Sequence, residues 1–327
     1  MHNSKKFTKG GKIRMKVLCE YLENPLGMDN NHPRFTWIVE DYENGEKQST
    51  YHIKVSKSQE MKDLVWDSGV VSSQETVNVI YQGYPLETAM CYYYQVEVTA
   101  NTGRSIKSEI QTFHTGIMEG EWDEDFIGGS LMERHTFWFR HVFEVKKKVA
   151  SAIVYLATPN YYVFTVNGKQ TTDSVLNNAW TDPEKTLIYG TYVITDLLQQ
   201  GENVFGVEVG NGWNAIDLGH QGYGVGEHLF SVKAIITYED GTKETVTTNN
   251  KDWFFSVDGP MTLNSIYAGE DYDARKELTG WDAPGYDMDK VTATWQDALE
   301  YEPPCGKIKS QMLELIKVVE HITPVET

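Results

Sequence analysis

Residues 151–214 read SAIVYLATPNYYVFTVNGKQTTDSVLNNAWTDPEKTLIYGTYVITDLLQQGENVFGVEVGNGWN, and their pattern decides the fold class. Val154 and Leu156, then Tyr162, Phe164 and Val166, alternate in period two, the mark of strands with one buried face. Asn167-Gly168 follows at once. Both central residues of a two-residue hairpin turn need positive φ, and this dipeptide tolerates it. A polar loop ends in Trp180-Thr181-Asp182-Pro183, and a β-rich run occupies 187–193. After a short turn at 195–198, Gly201 introduces a core-like strand over 203–209, which ends in Gly210-Asn211-Gly212-Trp213. Strands joined by loops that carry Trp, Asp and Asn suggest a β-sandwich with a polar and aromatic rim.

Working upstream, short apolar runs at 35–39, 51–55, 65–67, 78–81, 92–99 and 110–114 recur at intervals near ten residues. Asn44-Gly45 and Asn101-Thr102-Gly103 punctuate them as turns. That spacing predicts a fibronectin-III or immunoglobulin-like sandwich over 15–116, and the missing cysteine pair favours the former. Residues 116–129 read as an acidic, glycine-bearing linker with Trp122 packed at the joint. Downstream, runs at 136–143, 152–156, 229–239, 242–248, 253–257, 264–267 and 275–278 bring the second part to about ten strands, the number of a jelly roll. The expected organisation is all-β: a tail at 1–14, the sandwich at 15–116, a jelly roll resembling a carbohydrate-binding module at 117–305, and strands or the start of a further β-domain at 306–327.

The chain has 327 residues and a formal charge of −18, from 29 basic and 47 acidic side chains. That sign argues against nucleic acid and anionic membranes as partners, since both are bound by neutralising phosphates. No apolar run reaches the roughly 18 residues of a membrane span. Cys19, Cys91 and Cys305 lie far apart, with neither disulfide nor zinc spacing. The basic start MHNSKKFTKGGKIRMK lacks the apolar core of a signal peptide, so a cytoplasmic protein fits best, or a secreted one whose signal has been removed.

A sugar packs its C–H face on an aromatic ring while its hydroxyls take carboxylate and amide partners. Trp180, Asp182, Asn211, Trp213, Asp217 and Tyr223 all fall in loops or at strand ends, and are the candidate carbohydrate contacts. The structural alternative makes Trp180 and Trp213 core plugs and Asp182 the acceptor of an Asx turn before Pro183. Glu270, Asp271, Asp273 and Arg275 form the densest charged run. On a strand Asp271 and Asp273 share a face, with Glu270 opposite. Arg275, two residues from Asp273, neutralises it, which suits docking or a substrate-proximal ion pair better than catalysis. The glycines of 222–226 lack the strand–turn–helix setting of a phosphate loop. His135, His141, His220 and His228 lack a third ligand at metal spacing.

Several of these stretches occur in the order found in a known family. VNG (166–168), WTD (180–182), TYVITDLLQQGEN (191–203) and GNGW (210–213), with YAGEDYDAR (267–275) and GWD (280–282) after them and NPLG (24–27) and PRFTW (33–37) before them, resemble the N-terminal part of bacterial α-L-rhamnosidases. The resemblance covers roughly residues 15–327. It implies that the hydrolytic carboxylates belong to a downstream helical (α/α)-barrel, which this chain does not contain. It also implies a rhamnose-binding module that in some relatives uses calcium. Asp182, Asn211, Asn214 and Asp217 are the residues able to offer such an ion oxygen, and no other cofactor is required. The expectation is therefore a non-catalytic N-terminal region of an α-L-rhamnosidase-like glycoside hydrolase. It binds L-rhamnosyl sugars or supports the active site of the full enzyme, with a downstream catalytic domain as its partner. The alternatives are structural accessory domains without a ligand, and a self-contained glycosidase.

Overall fold

The computed structural model describes residues 15–40, 42–118, 120–129, 136–214 and 226–323. Among them the regular elements are strands and three single-turn 3-10 helices, so the all-β expectation holds. The chain divides into two compact units between residues 118 and 119.

In the first unit, β1 (Met15–Cys19), β2 (Arg34–Val39), β3 (Gln48–Ser56), β4 (Leu64–Asp67), β5 (Val71–Ser72), β6 (Val79–Ile80), β7 (Cys91–Ala100), β8 (Ser105–Lys107) and β9 (Gln111–His114) form two sheets. One runs β1-β2-β6. The other runs β4-β3-β7-β8, with β5 added on β3 and β9 on β7. The run CYYYQVEVTA of β7 buries every second residue, from Tyr92 to Ala100, as the period of a half-buried strand requires. Its Tyr94 ring lies 4.9 Å from Phe35 and its Tyr92 ring 5.3 Å from Phe113, which closes the core with aromatic pairs. Gln48 is buried but satisfied. It accepts from Trp37 Nε1 at 2.8 Å and donates to the carbonyls of Ser73 and Glu75, so it avoids the cost of an unpaired buried amide.

The second unit contains β10 (Phe126–Gly128), β11 (Phe137–Val145), β12 (Val149–Ala157), β13 (Tyr161–Val166), β14 (Lys169–Gln170), β15 (Thr186–Val193), β16 (Gly201–Gly210), β17 (Leu229–Tyr238), β18 (Lys243–Thr247), β19 (Trp253–Ser256), β20 (Met261–Ser265), β21 (Gly269–Tyr272), β22 (Gln296–Asp297), β23 (Leu299–Tyr301) and β24 (Lys307–Ser310). One sheet is ordered β23-β10-β17-β12-β15-β24, with β18 on β17. The other is ordered β14-β13-β16-β11-β19-β22, and β20-β21 form a separate ribbon. The alternating residues read from the sequence, Val154, Leu156, Tyr162, Phe164 and Val166, meet in one core with Phe139, Phe205, Phe230 and Trp253. Each such side chain removed from water contributes about 1.5–3 kcal/mol. Trp122 of the expected linker belongs to this unit, where Nε1 donates to Ser231 Oγ and the ring lies 5.4 Å from Tyr189.

Asn167 and Gly168 have φ of 53° and 76°, and Val166 pairs with Lys169 across them. This is the two-residue hairpin turn expected from the dipeptide. Asn167 does more than turn the chain. Its Oδ1 accepts from Val204 N at 2.8 Å, and its Nδ2 donates to Leu197 O and to Asn203 Oδ1. Asn203 is fully buried and donates in turn to the carbonyls of Gln199 and Gly201. The two amides rivet the hairpin to the turn before β16, so VNG and GEN are structural motifs.

The strand expected at 275–278 is absent, and β21 contains Asp271 but stops at Tyr272, before Asp273. Asp273 instead caps the 3-10 turn Ala274–Lys276 by accepting from Arg275 N. A short acidic side chain that bonds its own backbone competes with the strand ladder. Of the strands expected at 306–327, β24 forms and pairs in parallel with β15, while residues 312–323 form no strand. The bridge Ser174–Lys317, with Val175 N donating to Ile316 O, and the 2.8 Å ion pair of Lys317 with Asp173 hold this stretch, and Val319 and Ile322 are 81% and 83% exposed.

Candidate functional site

Strand β16 alternates Phe205, Val207 and Val209 into the core with Gly206, Glu208 and Gly210 on the opposite face. Both glycines are required by close approach. A Cβ on Gly206 would lie 2.5 Å from the Cβ of Asp282, and one on Gly210 would lie 3.0 Å from Asn264 Nδ2. The segment after β19 thus covers the strand on both sides of Glu208 and leaves that residue at the floor of a groove. On the neighbouring strands Glu208 is flanked by Trp138 and Val163. Trp138 is roofed by Leu278, Ala293 and Trp281, while Arg140 is held by Trp281 O at 2.9 Å and lies over the Tyr286 ring.

The groove has a volume of about 580 Å³, and Thr136, Tyr161, Glu208, Trp213, Asn264 and Glu270 are among its walls. Glu208 is half-buried and makes no hydrogen bond or ion pair among the described residues. Burial, and after it the charges of Glu270, Glu277 and Asp282, push its carboxyl up to about 7. A carboxyl held near neutrality in a cleft, with no structural partner, is a functional candidate.

Trp213 stands at the edge of this groove. Its Nε1 donates to Tyr161 Oη at 3.0 Å, and its ring lies 5.8 Å from both Trp180 and Tyr267. Trp180 is 53% and Tyr267 58% exposed, so these rings make a surface cluster rather than core plugs.

The other expected contacts separate from this cluster in different ways. Asn211 is buried. Its Oδ1 meets His228 Nε2 at 2.5 Å, and its Nδ2 donates to Asn264 O. Asn214, also buried, donates to Glu227 O. Asp182 accepts from Glu184 N and from Lys185 Nζ at 2.8 Å, and the lysine contact keeps its carboxyl below the usual range. Asp217 and Tyr223 lie outside the described residues. Asp182, Asn211 and Asn214 are thus engaged within the chain. Among the described residues no three His, Cys, Asp or Glu side chains group around a common point. A calcium ion needs six to eight convergent oxygens, and Asp217, the remaining expected donor, is outside the described residues. Of the charged run, Glu270 reaches the groove. Asp273 and Arg275 form an exposed bidentate pair at 2.7–2.8 Å that holds the Asp273 carboxyl at about 2, and Asp271 sits on exposed β21 opposite Leu263. His141 stacks on Trp253 and bonds Asp252 O, a packing role.

Sequence reasoning missed Glu208, Tyr161, Asn264 and Tyr267. The local signal is Gly-x-Glu-x-Gly at 206–210: two glycines in period two around one charged residue, alternating with the apolar Phe205, Val207 and Val209.

Comparison with known proteins gives consistent results. Residues 147–320 match the family described as the α-L-rhamnosidase N-terminal domain, and residues 15–119 match the Rha78A-like N-terminal immunoglobulin domain. An α-L-rhamnosidase of Formosa agariphila is 30% identical over 346 aligned residues, covering 94% of this chain and 36% of its own. One of Alteromonas sp. is 29% identical, covering 92% of this chain and 34% of its own. The chain therefore spans about a third of the length of these relatives. Among solved structures, the α-L-rhamnosidase from Dictyoglumus thermophilum aligns with a TM-score of 0.84 and 32% identity over 95% of this chain and 36% of that one. The Streptomyces avermitilis α-L-rhamnosidase complexed with L-rhamnose aligns with a TM-score of 0.73 over 94% of this chain and 47% of that one. At 20% identity that likeness concerns the fold alone.

Proposed function

The chain belongs to the family of α-L-rhamnosidase N-terminal domains, and on that footing we propose that its second unit binds L-rhamnosyl sugar at the Trp213 cluster without cutting it. The observation that carries this reading is the cluster of Trp180, Trp213 and Tyr267 rings, whose central member Trp213 lines a groove large enough to hold a sugar. A deoxysugar has an apolar face to lay on an indole, and Asn264 and Glu208 beside it offer partners for hydroxyls.

Glu208 and Glu270 also put two carboxyls in one groove, the composition that glycoside hydrolysis needs. Glu208 has no partner among the described residues to fix its proton at a stated oxygen, and a general acid is positioned before it is tuned. Binding is therefore the reading we take. Calorimetry with millimolar L-rhamnose tests it. Heat that disappears in Trp213→Ala while the far-ultraviolet spectrum is kept supports it. No heat, with or without calcium, overturns it, and release of nitrophenol from an aryl rhamnoside by this chain overturns the non-cutting part.

A second reading has its own observation. Leu313, Ile316, Val318, Val319 and Ile322 are all more than half exposed, which suits a segment that supports another part of a longer enzyme. Serine at Ile316, Val319 and Ile322 is then expected to leave this chain's melting unchanged and to lower that of a longer enzyme containing it. Equal melting of the longer enzyme contradicts it.

A further inference from the structure

We propose that the groove floored by Glu208 takes a hydroxylated organic ammonium ion, a polyol or sugar bearing a protonated amine. This ligand chemistry goes beyond rhamnosyl binding, although it rests on the same groove and shares Trp213 and Glu208 with that reading.

The electrostatic part comes from one place in the fold. Glu208 rises from the floor and Glu270 from β21, and both line the groove. Glu277, at the end of the 3-10 turn, and Asp282, over Gly206, act on Glu208 from the covering segment. From the strands on either side Glu208 meets Trp138 and Val163, which carry no charge. The nearby cation on that face, Arg140, is turned to Trp281 O and the Tyr286 ring. None of the four carboxyl groups is ion-paired among the described residues. An unpaired carboxyl in a partly dry site costs stability and does nothing for the fold. A bound positive charge reverses that cost.

Two further observations select the kind of cation. Tyr161, Trp213 and Met261 share the wall, and an ammonium group is attracted to the face of an indole or phenol ring as well as to a carboxylate. A bare metal ion gains little from such a wall. Thr136 is 1% exposed and lines the same groove, and its Oγ1 has no hydrogen-bond partner among the described residues. A buried hydroxyl without a partner calls for one, and a hydroxyl on the ligand supplies it. Charge, aromatic face and buried hydroxyl together fit a polyhydroxylated amine.

Binding a cation favours the ionised form of Glu208, so the ligand displaces a proton from it. Because burial and its acidic neighbours place that carboxyl at about 7, affinity for the cation must rise as pH rises through neutrality. It must also weaken with salt.

The test uses the whole chain and three probes in calorimetry: N-methyl-D-glucamine, its neutral counterpart D-sorbitol, and calcium chloride. At about pH 7.5 and low salt the amine is expected to bind at least about tenfold tighter than sorbitol, a ratio within reach of one charge pair and one ring contact. Lowering the pH to about 5.5 should weaken the amine by about fivefold or more as Glu208 takes its proton. Glu208→Gln should remove most of the preference, and Glu270→Gln on the exposed ribbon a smaller part. The wild-type pH and salt profiles decide the matter even if a variant folds poorly. Equal binding of amine and sorbitol, no binding of either, an unchanged preference in Glu208→Gln, or stoichiometric calcium binding that excludes the amine each overturns the proposal. L-Rhamnose binding in a protein that ignores the amine sinks this inference alone.

Discussion

The two faces of β16 differ in what they ask of a side chain. On the inner face Phe205, Val207 and Val209 are fully buried against two sheets, with Phe205 4.4 Å from Phe143 and 5.3 Å from Phe164. On the outer face Gly206 and Gly210 make room for the chain crossing above, and Glu208 fills the gap between them with a carboxyl that nothing in the described fold pairs. The first face is built for stability. The second gives some stability up, as residues that serve a ligand commonly do.

Substitutions on the two faces should therefore move stability in opposite directions. The largest effect is expected from Phe205→Ala, which leaves a cavity between the sheets and should cost about 3–5 kcal/mol in urea unfolding of the second unit. A loss under about 1 kcal/mol would mean that the inner face is not the close-packed one.

Glu208→Gln should do the reverse, and only at the right pH. The folded-state carboxyl titrates at about 7 against an ordinary value of 4.5, so the folded protein holds an extra proton between those limits. Wild-type stability then falls as pH rises through that window. Gln, which cannot ionise, should gain about 1–2 kcal/mol above pH 7 once partial exposure is discounted, and nothing near pH 4. Equal stability of the two proteins at both pH values would show that Glu208 is not desolvated. The smallest effect belongs to Asp273→Asn. The Asp273–Arg275 pair is exposed and local, and its loss should leave the unfolding midpoint unchanged.

What could be read in advance follows the same division. The inner face was legible because it depends on local alternation: Val154, Leu156, Tyr162, Phe164 and Val166 declare it in period two, and Asn167-Gly168 fixes the hairpin between neighbouring strands. The outer face was not, because Glu208 becomes a groove floor only when Asn264 and Asp282, more than fifty residues away in sequence, arrive over the flanking glycines. Trp213 was singled out for its residue type, and the structure sets it in an exposed cluster with Trp180. Asn211 was singled out for the same reason, yet its amide is consumed by His228 and Asn264 O. At Asp273 a side chain that caps its own turn overrides the extended reading, and within the described part of 306–327 only 307–310 finds a strand partner, in β15, while the apolar residues after it are tied down by one bridge and the Lys317–Asp173 ion pair.

The central claim is that the rings around Trp213 receive sugar while the indoles of the core do not. A titration of L-rhamnose into isotopically labelled protein, followed at the indole N–H resonances of the nine tryptophans, addresses it directly. Shifts confined to Trp213 and Trp180, with Trp37 and Trp253 unmoved, are the expected result. A spectrum in which neither Trp213 nor Trp180 responds at saturating sugar contradicts it.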